Sequence, residues 1–377
     1  MRSSNRESAL FSKFSKINWI LVLLICCAGS LGFAMLYSSA GGDLHPWALP
    51  QIVRFSAGFF IMIIFALIDI NFWFRNAYII YFILFLAVLS VEFFGISGMG
   101  AKRWIDLGVT RIQPSEMMKL GLLLAISRYF HGLSMDQVKK TIFLFVPIIL
   151  VILPAIVVLS QPDLGTGVIL ILIGISIFFI AGVQIWKFIL VLIASVIATP
   201  YLWNFLHSYQ QERILAFFNP DKDPLGSGYQ IAQSKIAMGS GGVSGKGFLE
   251  GTQTHLHFLP ETQTDFAFTM IAEEFGFVGG LVLLAIYIMI LIYVFSIAMR
   301  SKNHFGRMVA IGVSTAFFLY FFINIAMVTG LIPIVGVPLP FISYGGSSLI
   351  TLMASFGIVM SVYVHRDIDI DPFGRRM

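Results

Sequence analysis

Nine apolar runs, near residues 17–38, 52–69, 74–94, 141–159, 164–182, 187–206, 266–298, 308–331 and 344–364, are separated by more polar stretches, and a shorter run at 116–130 makes a tenth. A hydrocarbon core about 30 Å thick takes about 20 helical residues to cross. With 58% hydrophobic and only 11% charged residues, the chain has too little polar surface to cover a soluble globule. The expected fold is an all-α polytopic membrane protein with about ten transmembrane helices and a large outer loop before the eighth span.

Residues 1–16 carry Arg2, Arg6, Lys13 and Lys16 ahead of the first run. That run is too long for a signal-peptide core and lacks a small-residue cleavage site, so it reads as a retained span. Placing both termini in the cytoplasm puts the majority of the 24 Lys and Arg residues on inner segments, among them Arg75, Arg128, Lys139, Lys140, Lys187, Arg300, Lys302, Arg307 and Arg366. The positive-inside rule supports that orientation. The net charge of +5 then faces anionic inner-leaflet lipid, and nothing in it points to nucleic acid. Cys26 and Cys27 are adjacent within the first run, which suits packing better than a bridge or a metal site.

No repeat or low-complexity tract divides the chain, so 1–377 reads as a single membrane domain. Two outer segments are substantial, 95–115 and 207–264. Lys102, Arg103, Arg111, Arg213, Lys222, Lys235 and Lys246 fall on them against the charge trend. Exported basic charge suits an anionic ligand on the outer side. Proline stands just ahead of several inward-running helices, in "QPSE", "QPD", "LPETQTD" and "PLPFISYGG", and proline fits a first helical turn. The positive ends of those helices would all face the same interface.

Asp265 ends the polar stretch "FLPETQTD" at the mouth of the run 266–298. That run exceeds what the bilayer needs, which lifts Asp265 to the outer boundary, and Gly276, Gly279 and Gly280 offer places to bend. A wet carboxylate there could act as a general base on a sugar hydroxyl of a lipid-anchored substrate; locally it also fits a helix cap. Glu116 and Lys119 are spaced to pair on one helix face. Asp163 fits a cap of the next helix, and Arg213 could hold diphosphate bidentately. The Gly cluster "MGSGGVSGKG" fails the phosphate-loop pattern twice, at Ser240 and Gly247. His255 and His257 alternate near Glu261 and Asp265 and would make a weak metal pair.

The motifs "GAKRWIDLG", "QPSEMMK", "QPDLGTG", "NPDKDPLGSGYQIAQSKIAMGSGGVSGKG", "FLPETQTDFAF", "AEEFGFVG" and "PLPFISYGGSS" together resemble the SEDS family of wall polymerases, in order over residues 17 to 365. The resemblance implies a peptidoglycan glycosyltransferase that polymerises lipid II at the outer face of the bacterial cytoplasmic membrane, for cell elongation and rod shape. It implies an essential acid at Asp265, with Glu116, Lys119, Arg103, Trp104, Asp163 and Arg213 matching other motif positions; Lys246 is a further candidate for holding the leaving diphosphate. It also implies a divalent cation (Mg or Mn) with no organic cofactor. The expected partners are a growing glycan strand, a class B penicillin-binding protein transpeptidase, other elongation-complex membrane proteins and membrane lipid. The alternatives weighed are a lipid II flippase, a division-specific paralogue and a non-enzymatic scaffold. A coupled transporter would keep ionisable groups at mid-bilayer, where the spans hold little that is polar beyond Asn324.

Overall fold

A computed structural model describes residues 12–98, 101–106, 108, 111–206, 208–219, 226–252, 258–259 and 261–371. Three helices open the chain: α1 (Trp19–Ser39), α2 (Ala48–Leu67) and α3 (Ile70–Phe94). Among the described residues, seven helical segments, including these three, are long and apolar enough to cross a membrane. Lipid cannot bond an exposed peptide, so such runs satisfy their backbone internally as helices.

After α3 the chain forms three short antiparallel strands, β1 (Ile96–Gly98), β2 (Ala101–Asp106) and β3 (Arg111–Ile112), in the order β1-β2-β3. Ile96 faces Trp104 and Ile105 faces Ile112 across them. This small sheet is an addition to the all-helical expectation. It delivers the chain to α4 (Pro114–His131), whose first turn carries Pro114 at a position where its missing N–H costs nothing.

A short helix, α5 (Met135–Lys139), leads to α6 (Phe145–Ser160), α7 (Leu164–Ile180) and α8 (Ile185–Leu202). The large segment that follows holds α9 (Ser208–Phe218) and α10 (Ser227–Ser240). The long apolar run beginning at 266 is two helices, α11 (Ala267–Glu274) and α12 (Gly276–Arg300), broken at Gly276 with φ +66°. The last spans are α13 (His304–Val328) and α14 (Gly346–Val364).

The core lies where α4, α13 and α14 meet, since most of their side chains are buried. Small residues let the flanking helices come close. A Cβ on Gly357 of α14 would lie 2.7 Å from the Met62 carbonyl oxygen of α2, and one on Gly32 of α1 would lie 2.5 Å from the Phe341 oxygen. Such approaches replace the hydrophobic driving force that lipid cannot supply between helices. By contrast, none of the described side chains of α8 is buried, as expected of a helix facing lipid.

Candidate functional site

Asp265 closes a six-residue turn, 261–266, built on one carbonyl. The N–H groups of Thr264, Asp265 and Phe266 all donate to the Glu261 oxygen, at 3.1, 3.1 and 3.4 Å. Glu261 holds a left-handed φ of +57° to permit this. The helix cap read from local sequence does not form: Phe266 is the N-cap of α11 and no side chain caps it. The carboxylate of Asp265 is thereby left for other work.

The loop 331–345 pins the turn from outside. Tyr344 N–H donates to the Gln263 oxygen at 2.7 Å, and the Ser343 hydroxyl donates to the Thr264 oxygen. Gln51 of α2 in turn donates to the Ser343 oxygen at 3.0 Å. From α13, the Asn324 amide nitrogen donates to the Asp265 oxygen at 2.9 Å and to the Val337 oxygen at 2.7 Å. Gly336, with φ +75°, brings the backbone so near that a Cβ there would lie 3.5 Å from Asp265 Oδ2.

Asp265 is half-buried, and its surroundings push its carboxyl above the ordinary range, to about 6. Burial is the main cause and the neighbouring Glu261 charge adds to it. Arg213, a hydrogen bond from Thr264 and Arg103 oppose the rise. Arg213 on α9 and Arg103 on β2 are therefore close enough to act on this carboxylate. Among the described residues, no cation stands within ion-pair distance of it.

The other predicted residues fall into three groups. Arg103 donates to the Pro162 oxygen and sits 3.8 Å from Asp163. Asp163 also accepts from Gln113 at 2.8 Å and caps α7 through Thr166 N–H at 3.2 Å. That cluster joins the sheet, α4 and α7, while Trp104 is part-buried on β2 beside it.

Glu116 and Lys119 pair at 2.6 Å with each only 6% exposed. Tyr320 of α13 donates to the second Glu116 oxygen at 2.6 Å, and Lys119 bonds its hydroxyl and lies 4.4 Å from its ring centroid. The trio lines a cavity of about 50 Å³ walled also by Pro338, Phe341 and Thr351. One water needs roughly 10–15 Å³ measured this way, so the cavity is roomy enough for water.

Lys246 lies away from Asp265, paired with Glu273 at 2.7 Å and with Thr252 at 2.7 Å. Glu273 is eight positions along from Asp265, about 12 Å of helix. The glycines around Lys246 carry the break between α11 and α12. Lys246 and Gly247 N–H groups donate to the Glu273 and Glu274 oxygens at 3.1 and 3.0 Å, and Phe277 and Val278 N–H groups donate to the Gly242 and Val243 oxygens at 3.0 and 3.1 Å. The loop thus supplies partners for the orphan groups of one helix end and one helix start. Gly245 has φ +82°, and a Cβ there would meet the Glu274 oxygen at 2.1 Å.

His255 and His257 lie outside the described residues. Among the described residues, no group of three or more His, Cys, Asp or Glu is placed to hold a metal ion. Tyr320, Gln113 and Ser343 were not singled out from sequence. Only Asn324 carried a signal, as a polar residue in an apolar run.

Residues 16–368 match the cell cycle protein family FTSW_RODA_SPOVE. The peptidoglycan glycosyltransferase MrdB of Escherichia coli strain K12 is 43% identical over 348 residues, covering 92% of this chain and 93% of that protein. A chain solved in a study of polymerization and crosslinking by a peptidoglycan synthase complex superposes with a TM-score of 0.80 at 29% identity, covering 93% of this chain and 98% of that one. The rod shape determining protein RodA of Thermus thermophilus does so with a TM-score of 0.70 at 27% identity, covering 93% and 97%.

Proposed function

The chain belongs to the FtsW, RodA and SpoVE family and is a peptidoglycan glycosyltransferase; we propose that it polymerises lipid II with Asp265 as the general base. It is an inner-membrane protein. Our reading places both termini in the cytoplasm and the site on the outer face, where the membrane-anchored sugar would lie. Cysteine labelling of intact cells at the 261–266 turn and at the termini would test that orientation.

The observation that carries the reading is the Asp265 carboxylate, borne on a main chain fixed by its turn, capping no helix and with no ion-pair partner among the described residues, its carboxyl raised to about 6. A base works best when it is deprotonated at working pH yet still avid for a proton. In the proposed step, Asp265 takes the proton of the acceptor GlcNAc 4-hydroxyl. The oxygen attacks the donor MurNAc anomeric carbon, the bond to undecaprenyl diphosphate breaks, and the configuration inverts. One displacement needs one carboxylate, unlike the acid and nucleophile pair of retaining glycosidases.

Arg213 and Arg103 are the cations near enough to act on Asp265, and they are the proposed anchors for the diphosphate. Glu116 and Lys119 face the cavity beside the 338–343 loop and would shape the substrate bed rather than react. Asp163 holds Arg103 in place. Trp104 offers an apolar face to the substrate, and Lys246 would act from the far end of α11 by holding the helix break. The expected Mg or Mn ion does not find a ready-made set of protein ligands among the described residues.

A class B penicillin-binding protein is the proposed partner, with other elongation-complex membrane proteins, because the strand made here must be crosslinked. The test of the base is Asp265→Asn in purified protein given labelled lipid II. Strand synthesis should fall about 10²- to 10⁴-fold; long strands at near wild-type rate would remove Asp265 from that role.

A further inference from the structure

We propose that Asn324 is a positioning residue for the transfer reaction, fastening the main chain of Asp265 to the 335–339 segment so that the carboxylate meets the acceptor hydroxyl in one fixed pose. This deepens the reading of Asp265 as the base and rests on it.

Asn324 is fully buried near the outer end of α13. Its amide nitrogen has two hydrogens, and the two bonds it makes go to the Asp265 and Val337 oxygens, 2.9 and 2.7 Å away. Both partners are carbonyl oxygens, so the amide has to present nitrogen rather than oxygen to them. Ser343 and Tyr344 already bond the neighbouring Thr264 and Gln263 oxygens, and Asn324, from a third element, adds the tie between the Asp265 main chain and Val337.

The cost of the arrangement shows on the other side of the same group. Asn324 Oδ1 is buried with no hydrogen-bond partner among the described residues. A buried polar atom left unmatched is uncommon and unfavourable. An apolar residue of similar size would remove that unmatched atom but strand the Asp265 and Val337 oxygens, so the two donated bonds are what the amide supplies to the site. They place Gly336 against the carboxylate, where its missing side chain leaves 3.5 Å to Asp265 Oδ2. A shift of about 1 Å at this junction would misalign base and hydroxyl, and misplacement of that size can cost about 100-fold in rate.

The groups that set the titration of Asp265 are Glu261 beside it and Arg213, Thr264 and Arg103 around it. Asn324 touches only its main chain. Two variants separate positioning from packing. Asn324→Leu removes both donors without adding charge. Asn324→Asp keeps the shape, removes the donors and adds an anion next to the base.

In purified protein with labelled lipid II, both should lower kcat by about 10- to 100-fold while KM stays within about twofold. The kcat midpoint on the pH axis should rise in Asn324→Asp above that of the wild type because the added anion stands beside the base, while a loss of kcat per folded molecule at unchanged KM in Asn324→Leu is what a purely structural role would not produce. Wild-type kcat per folded molecule with an unmoved midpoint would overturn the proposal, and so would the failure of both variants to fold. Asp265→Asn run alongside keeps the two claims apart: activity retained there removes the base itself, whatever Asn324 does.

Discussion

Two of the ionisable sites in this apolar bundle, Glu116 and Asp265, are treated in opposite ways. At Glu116 the charge is matched at once, by Lys119 at 2.6 Å and by the Tyr320 hydroxyl at 2.6 Å. At Asp265 the main chain is fastened by the Glu261 oxygen and the Asn324 amide, while the carboxylate itself is given no ion-pair partner among the described residues. A buried charge that is fully paired holds helices together. One that is positioned and left unpaired has its proton affinity raised and is ready to react. The difference teaches where the fold spends its polar contacts on geometry and where it leaves reactivity.

The largest expected effect tests the paired site. Lys119→Met leaves Glu116 buried without its cation and should cost about 3–5 kcal/mol of stability, read as melting temperature in detergent. Adding Glu116→Gln to it should restore much of the loss. Equal loss in single and double variants would mean the pair does not act as a unit.

Asp265→Asn should do the reverse. The folded state raises this carboxyl to about 6, so stability conferred by the protonated form is present below the unfolded value near 4 and is lost as pH rises through about 6. The amide escapes that loss. At pH 8 the variant should gain at most about 3 kcal/mol, and at pH 4 it should gain nothing. A variant no more stable at pH 8 than the wild type would place Asp265 with the paired class.

Gly245→Ala addresses the splint across the α11–α12 break. A side chain at φ +82° and 2.1 Å from the Glu274 oxygen should cost about 1–3 kcal/mol and lower synthesis as the turn above it loosens. Arg213→Ala should have the mildest effect, raising KM for lipid II about 10-fold and moving the pH midpoint upward, because a charge opposing the rise is removed. An unchanged midpoint would detach Arg213 from the carboxylate.

The spans were legible because composition and length alone decide what lipid will accept. The start of α4 was legible through Pro114, and the bend at Gly276 through a run longer than a bilayer needs. The position of Asp265 at a helix mouth was legible from the junction of a polar stretch with an apolar run. What sequence could not show is which distant backbone each polar group serves. Asn324 was visible as an oddity, but its partners at 265 and 337 depend on the packing of α13 against two loops. The Gly cluster invites a phosphate-loop test because glycine permits many backbones, whereas its partners here are the carbonyls of α11. Lys246 reads as a diphosphate ligand by side and charge, and its pairing with Glu273 is a contact that sequence does not point to. The strands at 96–112 lie in a short polar stretch where alternation is too brief to read.

The most direct measurement is the pH dependence of kcat/KM for strand synthesis by the purified protein, which reports the free enzyme's essential base. The account expects a rise with a single proton's slope through about pH 6 and a plateau above it, both absent in Asp265→Asn. A rate that is flat from pH 5 to 8, or a midpoint unchanged when Asp265 is replaced, would contradict it.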